Sequence, residues 1–184
     1  LAAALLAAGD LRAGFAEFEW RLARGGAWPR KVAAPAWNGR QSVDGRRVLL
    51  TAEQGHGDIL NFARFAPLVA ARGAEVVVEC HPGLERLLAT LPGVAAVAPV
   101  TRPPPPADFA APLLSLPHLL GTDWESLPAR TPYLSVPADA APPPLPEAPV
   151  RVGLVWSGNP SFVNNRWRAA PLAALAPVLA VPGA

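Results

Sequence analysis

One stretch constrains this chain more than any other: Arg47–Asp58, RVLLTAEQGHGD. Val48, Leu49 and Leu50 form a short apolar run that suits a buried strand, and the run breaks at Glu53-Gln54-Gly55-His56-Gly57-Asp58. A helical pattern follows, with Ile59, Phe62, Ala63, Ala66 and Val69 on one face. Strand, glycine-bearing turn and helix start form the unit at which an α/β protein holds a ligand. The free N–H groups and the dipole of a helix start favour negative charge, and Gly55 and Gly57 allow a sharp turn and close backbone approach. Asp58 stands where an N-cap would stand. The same residues also suit a plain capping turn with no ligand.

The alternation continues downstream. Ile59–Arg72 reads as one helix, kinked at Pro67 and stopped by Gly73. Glu75–Cys80 (EVVVEC) reads as a strand, Pro82–Leu91 as a helix with Pro82 in its first turn, and Val94–Val100 as a strand. After the extended Pro103–Pro106, Asp108–Leu114 reads as a strand and Ser115–Leu120 as a short helix. Strands alternating with helices predict a parallel sheet. In such sheets ligands gather beyond the carboxyl ends of the strands, which is where 52–58 falls.

Upstream, Leu1–Arg24 reads as two helices joined at Gly9-Asp10, with Leu11, Phe15, Phe18 and Leu22 on one face of the second. That is a helical hairpin, either alone or as the last unit of a repeat array. Residues 25–46 form a loop punctuated by Gly25, Gly26, Pro29, Pro35, Gly39 and Gly45, with Trp28 and Trp37 expected to pin it. Downstream, Pro137–Pro149 is a linker by composition. Val150–Trp156 (VRVGLVW) then reads as a second buried strand, followed by Ser157-Gly158-Asn159-Pro160, a basic loop, and a helix start at Pro171–Leu179.

The 184 residues carry a net charge of +2 with scattered basic residues, which argues against nucleic-acid binding. The single cysteine, Cys80, rules out a disulfide within the chain and suits a reducing, cytoplasmic setting as a buried thiol. No apolar stretch has the length of a membrane span. No His/Cys/Asp/Glu spacing suggests a metal site. The first loop lacks the GxGxxG spacing of dinucleotide-dependent oxidoreductases, and no GxSxG elbow occurs. Both ends read as if the chain were a piece of a longer one.

Three blocks carry a resemblance: AEQGHGDILNFARFAPLVAARGAEVVVEC, then PLLSLPHLLGT with PYLSV, then VGLVWSGNPSFVNNRWRAAPLAALAPVL. Together with DLRAGFAEFEWRLAR, which resembles a final repeat helix, they are similar to bacterial tetratricopeptide-repeat proteins with a glycosyltransferase-like C-terminal region. That region is related to the glycosyltransferase B fold, and to heptosyltransferases and protein O-linked N-acetylglucosamine transferases. The resemblance implies an α/β fold: a Rossmann-like parallel sheet domain of the glycosyltransferase B type (47–136), preceded by the end of an α-helical repeat (1–24) and a loop (25–46), then a Pro-rich linker (137–149) and a truncated second Rossmann-like unit (150–184). It implies a metal-independent transferase that needs no cofactor, moving a sugar from a nucleotide-diphosphate donor to a hydroxyl of a protein or glycan acceptor. The fragment itself is expected to be inactive, because most of the donor domain would lie beyond Ala184.

By that resemblance Asp58 is the base for the acceptor hydroxyl, with His56 as its rival. Gly55 and Gly57 line the first loop. Gly158 and Asn159 approach the diphosphate, and Arg166 and Arg168 neutralise it. The family motif reads like N-D-R-R-R-S-I-P-L, whereas this chain has Asn164-Asn165-Arg166-Trp167-Arg168-Ala169-Ala170-Pro171-Leu172. The alternative is a non-catalytic scaffold in which the repeat segment binds a protein partner.

Overall fold

The computed structural model describes residues 1–24, 30–141, 144–145, 147, 150–160 and 164–181. It divides into two compact units, Leu1–Ala140 and Ala141–Ala184. Among the described residues no helix is long and apolar enough to cross a membrane.

Unit 1 is an α/β unit. Its strands are β1 (Arg47–Thr51), β2 (Glu75–Cys80), β3 (Val94–Pro99) and β4 (Phe109–Pro112), in the order β3-β2-β1-β4. Every pair is parallel, with Leu49 opposite Val77 and Ala110. Side chains on a strand alternate between faces, and each face has its own cover. Val48, Leu50, Val76, Val78 and Cys80 join the main core with Ile59, Ala63, Ala66 and Val69. Leu49, Val77 and Ala110 face the other way, onto Val32, Ala34, Ala98 and Ala107. A helix layer thus covers one face, while extended chain covers the other. Trp37 is buried, and residues 35–37 bond to Ala110 along the free side of β4. Trp28 lies outside the described residues.

The helices are shorter and more numerous than their sequence patterns suggest. Residues 1–24 form α1 (Ala2–Ala7), α2 (Leu11–Phe18) and α3 (Trp20–Arg24). The Asp10 carboxylate caps α2 by accepting the Ala13 N–H at 3.0 Å. The expected helix 59–72 is two: α4 (His56–Ala63) and α5 (Ala66–Ala70). Pro67 has no N–H to give the Ala63 carbonyl and its ring clashes there, so it serves the first turn of a new helix instead of kinking an old one. Gly73 ends α5 at φ +84°, where a Cβ would run into Asp44 Oδ1. Pro82 belongs to a turn before α6 (Glu85–Leu88), with Gly83 at φ +93° donating to Glu85 Oε2. β4 stops at Pro112. A 3₁₀ turn, Leu113–Ser115, leads into α7 (Leu116–Leu119), against which α2 lies.

Unit 2 corrects the largest expectation. Val150–Trp156 is not a strand; Val150, Val152, Val155 and Trp156 are exposed, Val155 to 93%, and Leu154 is half-buried. An apolar run becomes a strand only when another strand takes up its N–H and C=O groups. Among the described residues of this unit there is no strand to do so. Two 3₁₀ turns, Asn165–Trp167 and Leu172–Leu175, and α8 (Ala176–Leu179) follow.

Candidate functional site

The strand order reverses between β1 and β4. The chain moves to one side of β1 for β2 and β3, then returns to add β4 on the other side. An open parallel sheet holds its ligand beyond the carboxyl ends at this point. Here the position is taken by a side chain of the helical segment. Arg21, from α3, forks onto Glu53 just past β1: Nε donates to Oε1 at 3.2 Å and Nη2 to Oε2 at 2.7 Å. Nη2 also donates to Ser115 Oγ at 2.7 Å, just past β4. Nη1 donates to Glu19 Oε1 and to the Phe18 carbonyl. The guanidinium is thus fully committed, and it ties three segments together with the Glu53 side chain only 6% exposed. Nothing local in the sequence signals this cluster, because Arg21 lies 32 residues from Glu53 and 94 from Ser115.

The glycine turn differs from its sequence reading in two respects. The left-handed residue is Gln54, at φ +57°, whereas Gly55 has an ordinary extended backbone at φ −93°. Moreover, α4 begins three residues earlier than expected. Gly55 is its N-cap and His56 its first residue, so Asp58 is not the N-cap. Asp58 sits in the first turn and reaches back, accepting the Gly55 N–H on Oδ2 at 3.0 Å. This is the return half of a capping box. The glycines do not make the turn possible; they leave bare backbone at the helix start. A Cβ on Gly57 would meet nothing within 4 Å.

Two histidines flank this start. His81, immediately after β2, donates from Nε2 to the Gln54 carbonyl at 2.6 Å and so braces the left-handed residue. Its ring lies 5.0 Å from that of exposed His56, tilted by 36°. His81 went unread in the sequence because it follows a strand end and belongs to no motif. Gly55, His56, Gly57 and Asp58 therefore do come together, with His81 added.

Two groups beneath this edge are buried. Burial pushes the Cys80 thiol up to about 11, which leaves it protonated and unreactive at neutral pH. Glu79 is fully buried, and that burial raises its carboxyl above the ordinary range against the pull of Arg30. Among the described residues no group of three or more His, Cys, Asp or Glu side chains has the arrangement of a metal site.

Gly158, Asn159, Arg166 and Arg168 all lie exposed in unit 2. The Asn165 amide closes their loop: Oδ1 accepts the Gly158 N–H at 3.2 Å and Nδ2 donates to Ser157 Oγ at 3.3 Å. The Ala170 N–H donates to the Trp156 carbonyl at 2.9 Å. Arg166 lies over the Trp167 ring, 5.0 Å from its centroid. Asn165 is thus the residue that shapes this loop. A comparison of the chain with protein-family models, curated proteins and solved structures found no match to any of them.

Proposed function

We propose that this chain is part of a glycosyltransferase-like protein, in which unit 1 receives the acceptor and Gly158, Asn159, Arg166 and Arg168 of unit 2 serve the nucleotide-diphosphate sugar. The observation that carries the reading is the β1–turn–α4 junction at the carboxyl edge of a parallel sheet, where bare backbone and an acid meet. Asp58 is the base of choice. Its Oδ2 is held by Gly55, while Oδ1 makes no hydrogen bond among the described residues and is available to an acceptor hydroxyl. His56 is the rival, exposed beside His81. In unit 2 the exposed Arg166 and Arg168 suit a diphosphate. The chemistry asked of these groups, taking a hydroxyl proton and neutralising a leaving diphosphate, requires neither a metal nor a cofactor.

One observation favours the scaffold reading. Arg21 fills the β1/β4 crevice from within, which suits a helical segment built to present a surface to a protein partner over a sheet that has lost turnover.

Calorimetric titration of uridine, adenosine and guanosine diphosphates into the protein, beside an Arg166→Ala/Arg168→Ala variant, tests the proposal. Saturable binding of one base, weakened in the variant, is the expected result. Absence of binding by all three refutes it and leaves the scaffold.

A further inference from the structure

Among the described residues, Gln54 is the only one besides glycines with a positive φ, and at +57° its backbone is left-handed. Elsewhere in unit 1 the chain gives that conformation to glycine, as at Gly73, Gly83 and Gly93. An L side chain is crowded there, so such a residue persists only where its surroundings impose it, and residues of this kind gather at functional sites. What imposes it here comes from a neighbouring strand. β1 and β2 run parallel and paired, so their carboxyl ends lie side by side, and His81 is the first residue past β2. Its Nε2 meets the Gln54 carbonyl at 2.6 Å. A carbonyl only accepts, so Nε2 carries a proton, and in the neutral ring Nδ1 is bare.

The Gln54 carbonyl belongs to the same planar peptide unit as the Gly55 N–H. That N–H donates to Asp58 Oδ2 at 3.0 Å. One rigid plane therefore has an imidazole at one end and a carboxylate at the other. Fixing the carbonyl fixes the direction of the N–H, and donation into the carbonyl also polarises the N–H towards Asp58. From this shared peptide we propose that His81 is the positioning residue for Asp58: it holds the 54–55 peptide so that Oδ2 stays engaged and Oδ1 is left as the reacting oxygen. The inference rests on the reading of Asp58 as the base for an acceptor hydroxyl, and gives that base a support one strand away. Without His81, Gln54 relaxes to negative φ, the peptide rotates, and its N–H leaves Asp58.

The test is NMR on the unmodified chain, His81→Ala, His81→Gln and His81→Ala/Gln54→Gly, with Asp58→Ala marking the Gly55 amide shift when no carboxylate accepts. In His81→Ala that proton should move towards the Asp58→Ala value. Its solvent exchange should quicken by about 2- to 10-fold, and the Gln54 carbon shifts should lose their left-handed signature. The side-chain amide of His81→Gln donates as the imidazole does and should restore the Gly55 resonance. Gln54→Gly in the His81→Ala background should restore it too, because glycine takes a positive φ without a brace. A histidine that merely filled space would not be answered by a change at residue 54. A Gly55 resonance unmoved in His81→Ala overturns the proposal, as does a shift that neither compensating change restores. On the unmodified chain, a neutral His81 ring protonated at Nδ1 by its ¹⁵N spectrum also overturns it, which decides the matter even if His81→Ala does not fold. None of these readouts needs a nucleotide, so absence of diphosphate binding in calorimetry refutes the transferase reading separately from the positioning.

Discussion

Replacing Arg21 with alanine removes five hydrogen bonds at once and strands two buried groups. Glu53 loses both partners of its fork, and Ser115 Oγ loses its donor at 2.7 Å. The Arg21 side chain is 14% exposed and that of Glu53 6%, so solvent screens this pair far less than a surface one. Breaking a buried ion pair from one side costs about 3–5 kcal/mol, because the remaining charge has nowhere to go. Slight water access at Arg21 places this case near 3 kcal/mol. For a chain of this size that corresponds to roughly 6–12 °C in Tm, read by far-UV circular dichroism. Substituting the pair as Arg21→Met/Glu53→Gln should recover most of the loss, since no buried charge then remains. A shift below about 2 °C for Arg21→Ala would equal the loss of an exposed pair and refute the argument. An unrescued double variant would instead show that lost packing dominates.

Three further outcomes follow from single contacts. The folded Cys80 thiol holds its proton to about 11, whereas the unfolded thiol releases it near 9.0, so the stability this group contributes is present below pH 9 and disappears as pH rises towards 11. Urea midpoints at pH 8 and pH 11 should show this fall, and Cys80→Ala should remove that part of it. Gly73→Ala forces a Cβ onto Asp44 Oδ1 at φ +84° and should cost about 2 kcal/mol, measured by urea unfolding; a neutral result would mean that the α5–β2 turn rearranges freely. Asp10→Ala removes the α2 cap and should lower stability by about 1 kcal/mol, with Asp10→Asn retaining most of it.

Much of the sheet was legible in advance because strands announce themselves locally. Glu75–Cys80 carries its β-branched run in six consecutive residues, and the strand has those bounds. The apolar run Val48, Leu49 and Leu50 forms the middle of β1, Arg47–Thr51. The reading went astray where one residue type serves two purposes. Pro67 belongs to the first turn of a new helix, so one expected helix is split; Pro82 lies in a turn outside α6, so another is shortened; and Asp58 caps from within the helix and not from its edge. Val150–Trp156 has strand composition yet forms none, because a strand needs a second segment to pair with and composition describes only the first.

By itself, the sequence determined the α/β alternation, the parallel character of the sheet, and the turn that gathers Gly55, His56, Gly57 and Asp58 within four residues. Periodicity and short-range sterics act over a few residues, so they are written locally. Only the tertiary structure decided which strands are neighbours, that Arg21 closes the β1/β4 crevice, that His81 braces Gln54, and that Glu79 is buried beside Arg30. Those contacts join residues 27 to 94 positions apart. They exist because packing the two faces of the sheet brings distant side chains together, and no local pattern encodes which ones meet.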